Sequence, residues 1–466
     1  MSPWKRPLLR VYKTLQAIGA QLTFGFPGRK LRIIGVTGTD GKTTTVHLIV
    51  RALESAGYTV GAVSTIQFQV GTKRWANASK LTTPGPLMLQ ALLAHMVRAG
   101  CHYAVIECSS HRLDQGGLWG IPVDVAVITN ISREHFDYHR DFSDYAAAKR
   151  RLFRLLRHPA KVLPFRPGMD PGGRLPTVAV ANLEDERTTR MLEEPAERKY
   201  GFTQGPGSGL RRRGVTVVSA QRIPDSLSPR SIPRAATHVV RAGEQEALLG
   251  LKLPGAFNLQ NVLAAIAVGV SQGIELARVT KELSEVERIP GRMDVVEAGQ
   301  PFTVIIDYAV TPAAFEALYA TIGHEPWAMR GQRAGGRRPR IIHVFGAAGE
   351  RDRGKRPLLA AIAARHADLV ILTDEDPYGE NPEQILDDLA AGIPARSESS
   401  GIARETTERI RDRRLAIRAA LRHARPGDSV LVTGKGSEGT MAVGRQRLPW
   451  NDRRVIEEEV RALPPG

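Results

Sequence analysis

Cysteine is almost missing from this 466-residue chain, which holds only Cys101 and Cys108. Two thiols exclude a disulfide framework and a four-cysteine zinc site, and their scarcity fits a reducing cytosol. Long hydrophobic runs are missing too. No apolar stretch is long enough to span a bilayer. Arg10, Lys13 and Gln16 interrupt the first one, so no secretory leader is read there. No repeat recurs at a solenoid period, and no helix-turn-helix, RNP or zinc-finger pattern marks a nucleic-acid binder. Negative charge is the last shortage: 48 acidic residues face 65 lysines and arginines, a formal net charge of +17. That excess either draws anionic partners, such as nucleotides or an acidic membrane face, or reflects solvated faces written in arginine.

The rest is the composition of an ordinary globular protein, 42% apolar and 24% charged, long enough for two or three domains. Leu8, Val11, Leu15, Ile18 and Leu22 recur at helical steps and mark residues 1–30 as a basic amphipathic segment. Two readings of it stay open: a helix docked on its own domain, or one in peripheral contact with an anionic membrane face. From Leu31 onward short strands such as "LRIIGVTG", "YAVIECSS" and "VDVAVITN" alternate with helices such as "LMLQALLAHMVRAG". That alternation predicts an α/β protein with a central domain over 31–288 built on a mostly parallel sheet. Residues 159–250, rich in Pro, Gly and Arg, are expected to form its strand-and-loop flank. The strands "FTVIIDYA", "RIIHVFGA", "ADLVILTDE" and "DSVLVTGKG" predict a C-terminal doubly wound, Rossmann-like domain over 289–466, with a basic loop "RGQRAGGRRPR" before the second of them. In such sheets ligands sit beyond the carboxyl ends of strands, and here polar motifs follow the strands at once.

"GVTGTDGKTTT", residues 35–45, joins the first of these strands to a helix. Its glycines, Gly35, Gly38 and Gly41, depart from Walker A spacing, which would put glycine at Val36. The physics survives the change. Glycines let backbone N–H groups wrap an anion, the helix N-terminus adds a positive dipole end, and Lys42 neutralises phosphate charge. The Thr43 hydroxyl is placed to reach a magnesium ion. Gly38, Thr39, Asp40, Gly41, Lys42, Thr43 and Thr44 are therefore read as a nucleotide phosphate site of P-loop type. Glu107 follows "YAVI" at the carboxyl edge of the sheet, and His135, Asp137 and His139 follow "VAVIT". A hard cation bridging phosphates takes oxygen ligands with an occasional imidazole, which makes Glu107 and His135 candidate ligands.

In order along the chain, "GVTGTDGKTTT", "TTPGP", "ECSSHRLDQ", "TNISREHFDYH", "YAAAKRRLF", "LPGAFNLQNVLAA", "IPGRMD", "DYAVTP", "FGAAGERDRGKRP" and "GKGSE" resemble the landmarks of a Mur ligase, most of all its tripeptide-synthetase (MurE-like) type. The resemblance runs from about residue 30 to about residue 440. It implies an ATP-dependent, ADP-forming amide ligase in which a carboxylate is activated as an acyl phosphate and an amine then displaces phosphate. It implies Lys42 and Thr43 at the β- and γ-phosphates, and Mg²⁺ held by Thr43, Glu107 and His135. Lys149 is implied as a carbamoylated lysine that helps place a second metal, although its sequence context alone reads as an exposed helix lysine. Asn261 is implied at the adenine, and Arg292 and Asp307 at phosphate and ribose, with the two domains hinging around them. Thr82, Thr83, Ser109, Ser110 and Gln115 fall on the acceptor side; Arg351, Asp376, Gly434 and Glu438 fall where the amino acid is gripped. The implied substrates are ATP, an amino acid and a peptide-bearing cell-wall precursor. The expected setting is a monomer in the cytoplasm without nucleic acid.

The departures gather on the acceptor and amino-acid sides. The phosphate loop arrives by residue 35, so the N-terminal domain that holds UDP in these ligases is expected to be missing. The family's acceptor-contacting arginine falls at Gly117, and Val310 and Ser437 replace histidines. Tyr378 stands where an arginine reads diaminopimelate. Loss of that guanidinium argues against a second carboxylate on the amino acid, and acidic Glu375 and Asp376 suit an amine such as lysine or ornithine. Two alternatives stay open: a ligase for a folate or other polyglutamate-type acid, and a non-catalytic nucleotide-binding subunit. "LDQ" and "TNISREHFDYH" favour the wall type over the first, and intact Lys42, Glu107, His135 and Lys149 argue against the second.

Overall fold

The structure, a computed structural model, describes residues 5–79, 81–156, 176–205, 214–223, 236–324, 338–394 and 407–463. Most of the Pro-, Gly- and Arg-rich text of the expected flank, and of the basic loop, lies outside the described residues. The chain divides into two compact units, Met1–Lys252 with Ala256–Glu287, and Leu253–Gly255 with Arg288–Gly466.

The first unit runs α1 (Lys5–Phe24), β1 (Arg32–Thr37), α2 (Lys42–Ser55), β2 (Val60–Val63), β3 (Gln67–Val70), β4 (Lys73–Ala76), α3 (Pro86–Arg98), β5 (Tyr103–Glu107), α4 (Ser110–Asp114), β6 (Val125–Ile128) and α5 (Phe142–Arg154). It continues with β7 (Val178–Asn182), α6 (Glu186–Thr189), β8 (Arg198–Gln204), β9 (Val215–Arg222), β10 (Ala236–Ala242), β11 (Gln245–Leu251), α7 (Ala256–Ser271) and α8 (Leu276–Ser284). Among the described residues these strands form one sheet, in the order β11-β10-β9-β8-β7-β6-β1-β5-β2-β3-β4. From β9 to β2 neighbours are parallel, and an antiparallel pair closes each end. The expected flank thus supplies β7 to β11, which extend the same sheet. Strands β1, β5 and β6 are buried along their whole length, as parallel strands covered on both faces must be. Their register pairs Val36 with Glu107 and Thr37 with Ile128, so the phosphate loop, Glu107 and the segment after Ile128 all leave one edge of the sheet.

Helix α1 docks on this unit, but not through its apolar stripe. Ala17, Ala20 and Gln21 are buried, whereas Leu8, Val11, Leu15 and Leu22 stay exposed. Small side chains permit the close approach. Ion pairs choose the face: Arg6 Nε donates to Asp114 Oδ2 at 2.7 Å, and Arg10 Nε donates to the Asp114 carbonyl at 2.9 Å.

The second unit runs β12 (Asp294–Val296), β13 (Thr303–Asp307), α9 (Pro312–His324), β14 (Ile341–Phe345), α10 (Lys355–His366), β15 (Leu369–Leu372), α11 (Pro382–Ala390) and β16 (Thr407–Arg409). It ends with α12 (Arg413–His423), β17 (Ser429–Thr433), β18 (Thr440–Val443), β19 (Gln446–Pro449) and α13 (Asp452–Arg461). Its sheet has the order β12-β13-β17-β14-β15-β16, parallel apart from β12. Val304, Ile306, Val344, Ile371 and Val432 fill its core. Asp307 ends β13, and Gly434 and Glu375 follow the carboxyl ends of β17 and β15.

Candidate active site

The phosphate loop is held from behind by the segment after β6. The Thr39 N–H donates to the Asn130 carbonyl at 3.0 Å, and the Asp40 N–H to Asn130 Oδ1 at 2.9 Å. Thr129 Oγ1 donates to the Asp40 carbonyl at 2.6 Å. Two glycines are required by contact as well as by φ. A Cβ on Gly38 (φ 152°) would lie 1.9 Å from Thr129 Oγ1, and one on Gly41 (φ 80°) 2.2 Å from Asn261 Oδ1. Lys42 Nζ donates to the Thr39 carbonyl at 2.6 Å, which folds the cation back over its own loop. Thr44 is buried in the first turn of α2. Asn261, on α7, is buried; its Nδ2 donates to Asn258 Oδ1 at 3.1 Å and its Oδ1 accepts from Thr45 Oγ1 at 3.3 Å.

Thr43 and Glu107 meet at the joint. Thr43 Oγ1 donates at 3.1 Å to both Glu107 oxygens, and the Thr65 N–H donates to Glu107 Oε2 at 2.7 Å. A hydroxyl and a carboxylate beside a helix N-terminus are a hard-oxygen donor set. Among the described residues no group of three His, Cys, Asp or Glu side chains could hold an ion alone. The Thr43–Glu107 pair is of the donor type magnesium takes, a cation that otherwise keeps waters and substrate phosphates in its shell.

His135 sits in the left-handed region (φ 60°), with Nε2 3.5 Å from Glu134 Oε2. Burial lowers its pKa; Glu134 opposes this, and Lys149 and Lys42 add to it, so both lysines lie within electrostatic reach. Lys149 corrects the surface reading of its sequence context, because it is buried. Its Nζ donates to the Gly38 carbonyl at 2.5 Å and lies 4.2 Å from the Tyr145 ring centre. Burial first, and Lys42 second, hold this ammonium well below the ordinary lysine range. The physical reason is packing: α5 turns this position, not the neighbouring arginines, under the phosphate loop.

On the acceptor side, Thr82 Oγ1 accepts from Thr65 Oγ1 at 3.2 Å, and Thr83 Oγ1 donates to the Glu107 carbonyl at 2.7 Å. Ser109 caps α4 by accepting from the Arg112 N–H, and Gln115 closes that helix. Ser110 Oγ lies 3.0 Å from Nε2 of the buried His139, whose Nδ1 is 3.4 Å from Arg6 Nη2. Burial, then Arg6, pulls His139 down to about 4.

The second unit gathers its own cluster. Arg292 lies 4.5 Å from the Tyr308 ring centre, and Asp307 Oδ2 accepts from the Met293 N–H at 2.7 Å. Burial raises the Asp307 pKa while Arg292 lowers it. Asp376 is not free for an amine, contrary to the sequence expectation. The buried Lys435 Nζ donates to both its oxygens at 2.9 Å, and the Ala442 N–H donates to it at 2.6 Å. Lys435 also donates to Glu438, which accepts from Tyr308 OH at 3.4 Å. Glu375, by contrast, is buried with its pKa raised by burial and then by Asp376. A Cβ on Gly434 would lie 2.6 Å from Glu375 Oε2. Arg351 and Arg447 flank Tyr378 at 5.9 and 5.2 Å from its ring centre.

Three residues had no site role assigned from sequence: Arg6 and Arg112 in the first unit, and Lys435 in the second. Lys435 had a signal, the "GKG" triplet; Arg6 and Arg112 had none beyond charge.

A glycine-rich loop with an oxygen pair at its joint, followed in one chain by a second parallel-sheet unit, defines an α/β protein of nucleotide-binding type. Known proteins make the assignment specific. Residues 36–269 match the Mur ligase middle domain, and residues 291–436 match the Mur ligase glutamate ligase domain. The UDP-N-acetylmuramyl-tripeptide synthetase of Roseiflexus sp. (strain RS-1) is 40% identical over 97% of this chain and 84% of its own length. The UDP-N-acetylmuramoyl-L-alanyl-D-glutamate--2,6-diaminopimelate ligase of Thermosynechococcus vestitus is 36% identical over 92% of this chain and 77% of its own. A solved structure of a ligase of that second name shares 29% identity, with a TM-score of 0.54 over 93% of this chain and 78% of its own. Mycobacterium tuberculosis folylpolyglutamate synthase shares the fold at 17% identity, with a TM-score of 0.60 over 91% of this chain and 96% of its own. The chain belongs to the Mur ligase family. It is an ADP-forming acid–amino-acid ligase of peptidoglycan precursor synthesis.

Proposed function

We propose that this ligase joins an amino acid bearing a cationic side chain to the D-glutamate carboxylate of a muramoyl dipeptide precursor. Residues 31–288 serve ATP and the acceptor, and residues 289–466 serve the amino acid. The observation that carries the choice of amino acid is Glu375, a buried carboxylate beside Gly434, combined with Tyr378 in place of an arginine. A distal ammonium neutralises that carboxylate, whereas a distal carboxylate would face it at close range.

The chemistry follows from positions. Lys42 and the loop N–H groups neutralise the terminal phosphates of ATP. The acceptor carboxylate takes the γ-phosphoryl group, ADP leaves, and the amine attacks the resulting acyl carbon. Inorganic phosphate departs with one former carboxylate oxygen, and the amine gives up a proton. Thr43, Glu107 and His135 would hold magnesium, which supplies charge neutralisation at the phosphates. A carbamate on Lys149 would add an anion beside that site. A neutral amine is the form that adds carbon dioxide, and burial provides it.

The test is ADP formation by the purified chain with Mg²⁺, UDP-N-acetylmuramoyl-L-alanyl-D-glutamate and lysine, ornithine or diaminopimelate in turn. Turnover that requires both acceptor and lysine or ornithine is expected. Turnover with diaminopimelate alone would overturn the amino-acid assignment.

A second reading concerns place. Among the described residues no helix is long and apolar enough to cross a membrane. The exposed stripe of Leu8, Val11, Leu15 and Leu22, on a helix without acidic residues, favours peripheral contact with an anionic membrane face. Cosedimentation with anionic but not neutral vesicles, lost in Leu15→Glu, is the expected result.

A further inference from the structure

Helix α4 carries a buried cation, Arg112, with no carboxylate in ion-pair contact among the described residues. Arg112 is 8% exposed, and its Nε and Nη1 have no hydrogen-bond partner among the described residues. Its Nη2 only reaches the Thr83 carbonyl, at 3.4 Å. Burial accordingly pulls its pKa below the usual guanidinium range. A second cation lies close by: Lys13 of α1 has its ammonium pKa lowered by burial and then by Arg112. Unpaired buried guanidinium is costly, and its open donors suit an anionic oxygen.

The side chain of Arg112 also runs across Gly117. A Cβ at that glycine would lie 2.0 Å from Arg112 Cδ. Positions 112 and 117 therefore compete for one volume. Gly117 is where the sequence resemblance places an acceptor-contacting arginine, and here the guanidinium enters that volume from Arg112 instead. The volume borders Thr83, whose Oγ1 accepts from the Ser109 N–H at 2.9 Å.

We propose that Arg112, with Lys13 beside it, binds an anionic group of the acceptor, a carboxylate or a phosphate. This rests on the reading of the Thr83–Ser110 edge as the acceptor side. A chain that keeps an uncompensated cation there trades stability for binding.

Two measurements test it, one without turnover. The melting temperatures of wild type and Arg112→Ala are compared alone, with inorganic diphosphate, and with N-acetyl-L-alanyl-D-glutamate. Arg112→Ala alone should melt no lower than wild type. One probe should raise the melting temperature of wild type but not of the variant: diphosphate assigns a phosphate, the dipeptide a carboxylate. A lower melting temperature for Arg112→Ala, or a probe shift that survives in it or is missing from wild type, overturns the proposal. In the ligase assay, Arg112→Ala should raise the acceptor KM about tenfold or more, the size of one charge-assisted hydrogen bond, with the ATP KM unchanged. Adding Gly117→Arg to Arg112→Ala should bring that KM back to within about threefold of wild type, since the two positions are coupled. Failure of the double variant to recover while wild type turns over also overturns it. A wild type that does not turn over strikes the proposed acceptor and leaves the melting result to decide on Arg112.

Discussion

Thr43 and Glu107 face each other across the joint of α2 and β5, the hydroxyl donating at 3.1 Å to both carboxylate oxygens. The Thr65 N–H also donates to Glu107 Oε2, at 2.7 Å. Thr43→Val and Glu107→Gln should each lower kcat about 100-fold or more, as loss of a charge-stabilising group in phosphoryl transfer does. The Mg²⁺ concentration for half-maximal rate should rise as well. A rate or a Mg²⁺ requirement left unchanged would remove this pair from the metal site.

Lys149 gives a pH-dependent signature. Its folded pKa lies well below the unfolded value of 10.5, so between the two the unfolded chain binds the extra proton and stability rises with pH. In buffer freed of carbon dioxide, Lys149→Met should melt above wild type at pH 7. The gap should close as the pH approaches the unfolded lysine value. A gap that does not change with pH contradicts the buried neutral amine. Lys149→Ala, in the same account, loses ligation but keeps ATP affinity.

His343 predicts a slope of the same sign in a more acidic window, through a base that must stay neutral. It lies between Tyr319 OH, at 2.6 Å from Nδ1, and Thr433 Oγ1, at 2.9 Å from Nε2. Burial, then Arg413, pulls it down to about 3. Below its usual pKa the unfolded state takes a proton that the folded state refuses, so stability falls as pH drops from about 6.5 toward 3. Between pH 7 and pH 5 wild type should lose about 2 kcal/mol more than His343→Gln, from 1.36 kcal/mol per pH unit. Equal losses in chemical denaturation would show that His343 is not the group responsible.

In the proposed function, Tyr378 is the position expected to decide between amino acids. Tyr378→Arg should raise kcat/KM for diaminopimelate relative to lysine by about tenfold, the size of one charged hydrogen bond. Glu375→Gln should cost lysine more than diaminopimelate. An unchanged ratio in both variants would move selectivity elsewhere.

What the sequence revealed was local. The phosphate loop was legible because a strand, close-set glycines, a lysine and a helix start are adjacent in the chain, and their chemistry needs no tertiary partner. The parallel sheet was legible because alternating strands and helices admit few other arrangements. Lys149 was not, since "AAAKRRLFR" offers several basic side chains and only the packing of α5 chooses which one turns under Gly38. Asp376 looked available until Lys435, far along the chain, closed on it. The α1 stripe read as a candidate docking face, and Asp114 reversed it by pairing with Arg6 and Arg10 on the other side. Each miss is a long-range contact that outweighs a local pattern.

In the proposed mechanism the loop at residues 35–45 spends a phosphoryl group of ATP on a carboxylate. Acceptor labelled with ¹⁸O in its D-glutamate carboxylate tests this directly, by mass analysis of the inorganic phosphate released in ligation. Activation through an acyl phosphate predicts one ¹⁸O atom in each phosphate. Phosphate free of label would mean that water, not the acceptor, attacks ATP, and would contradict the account.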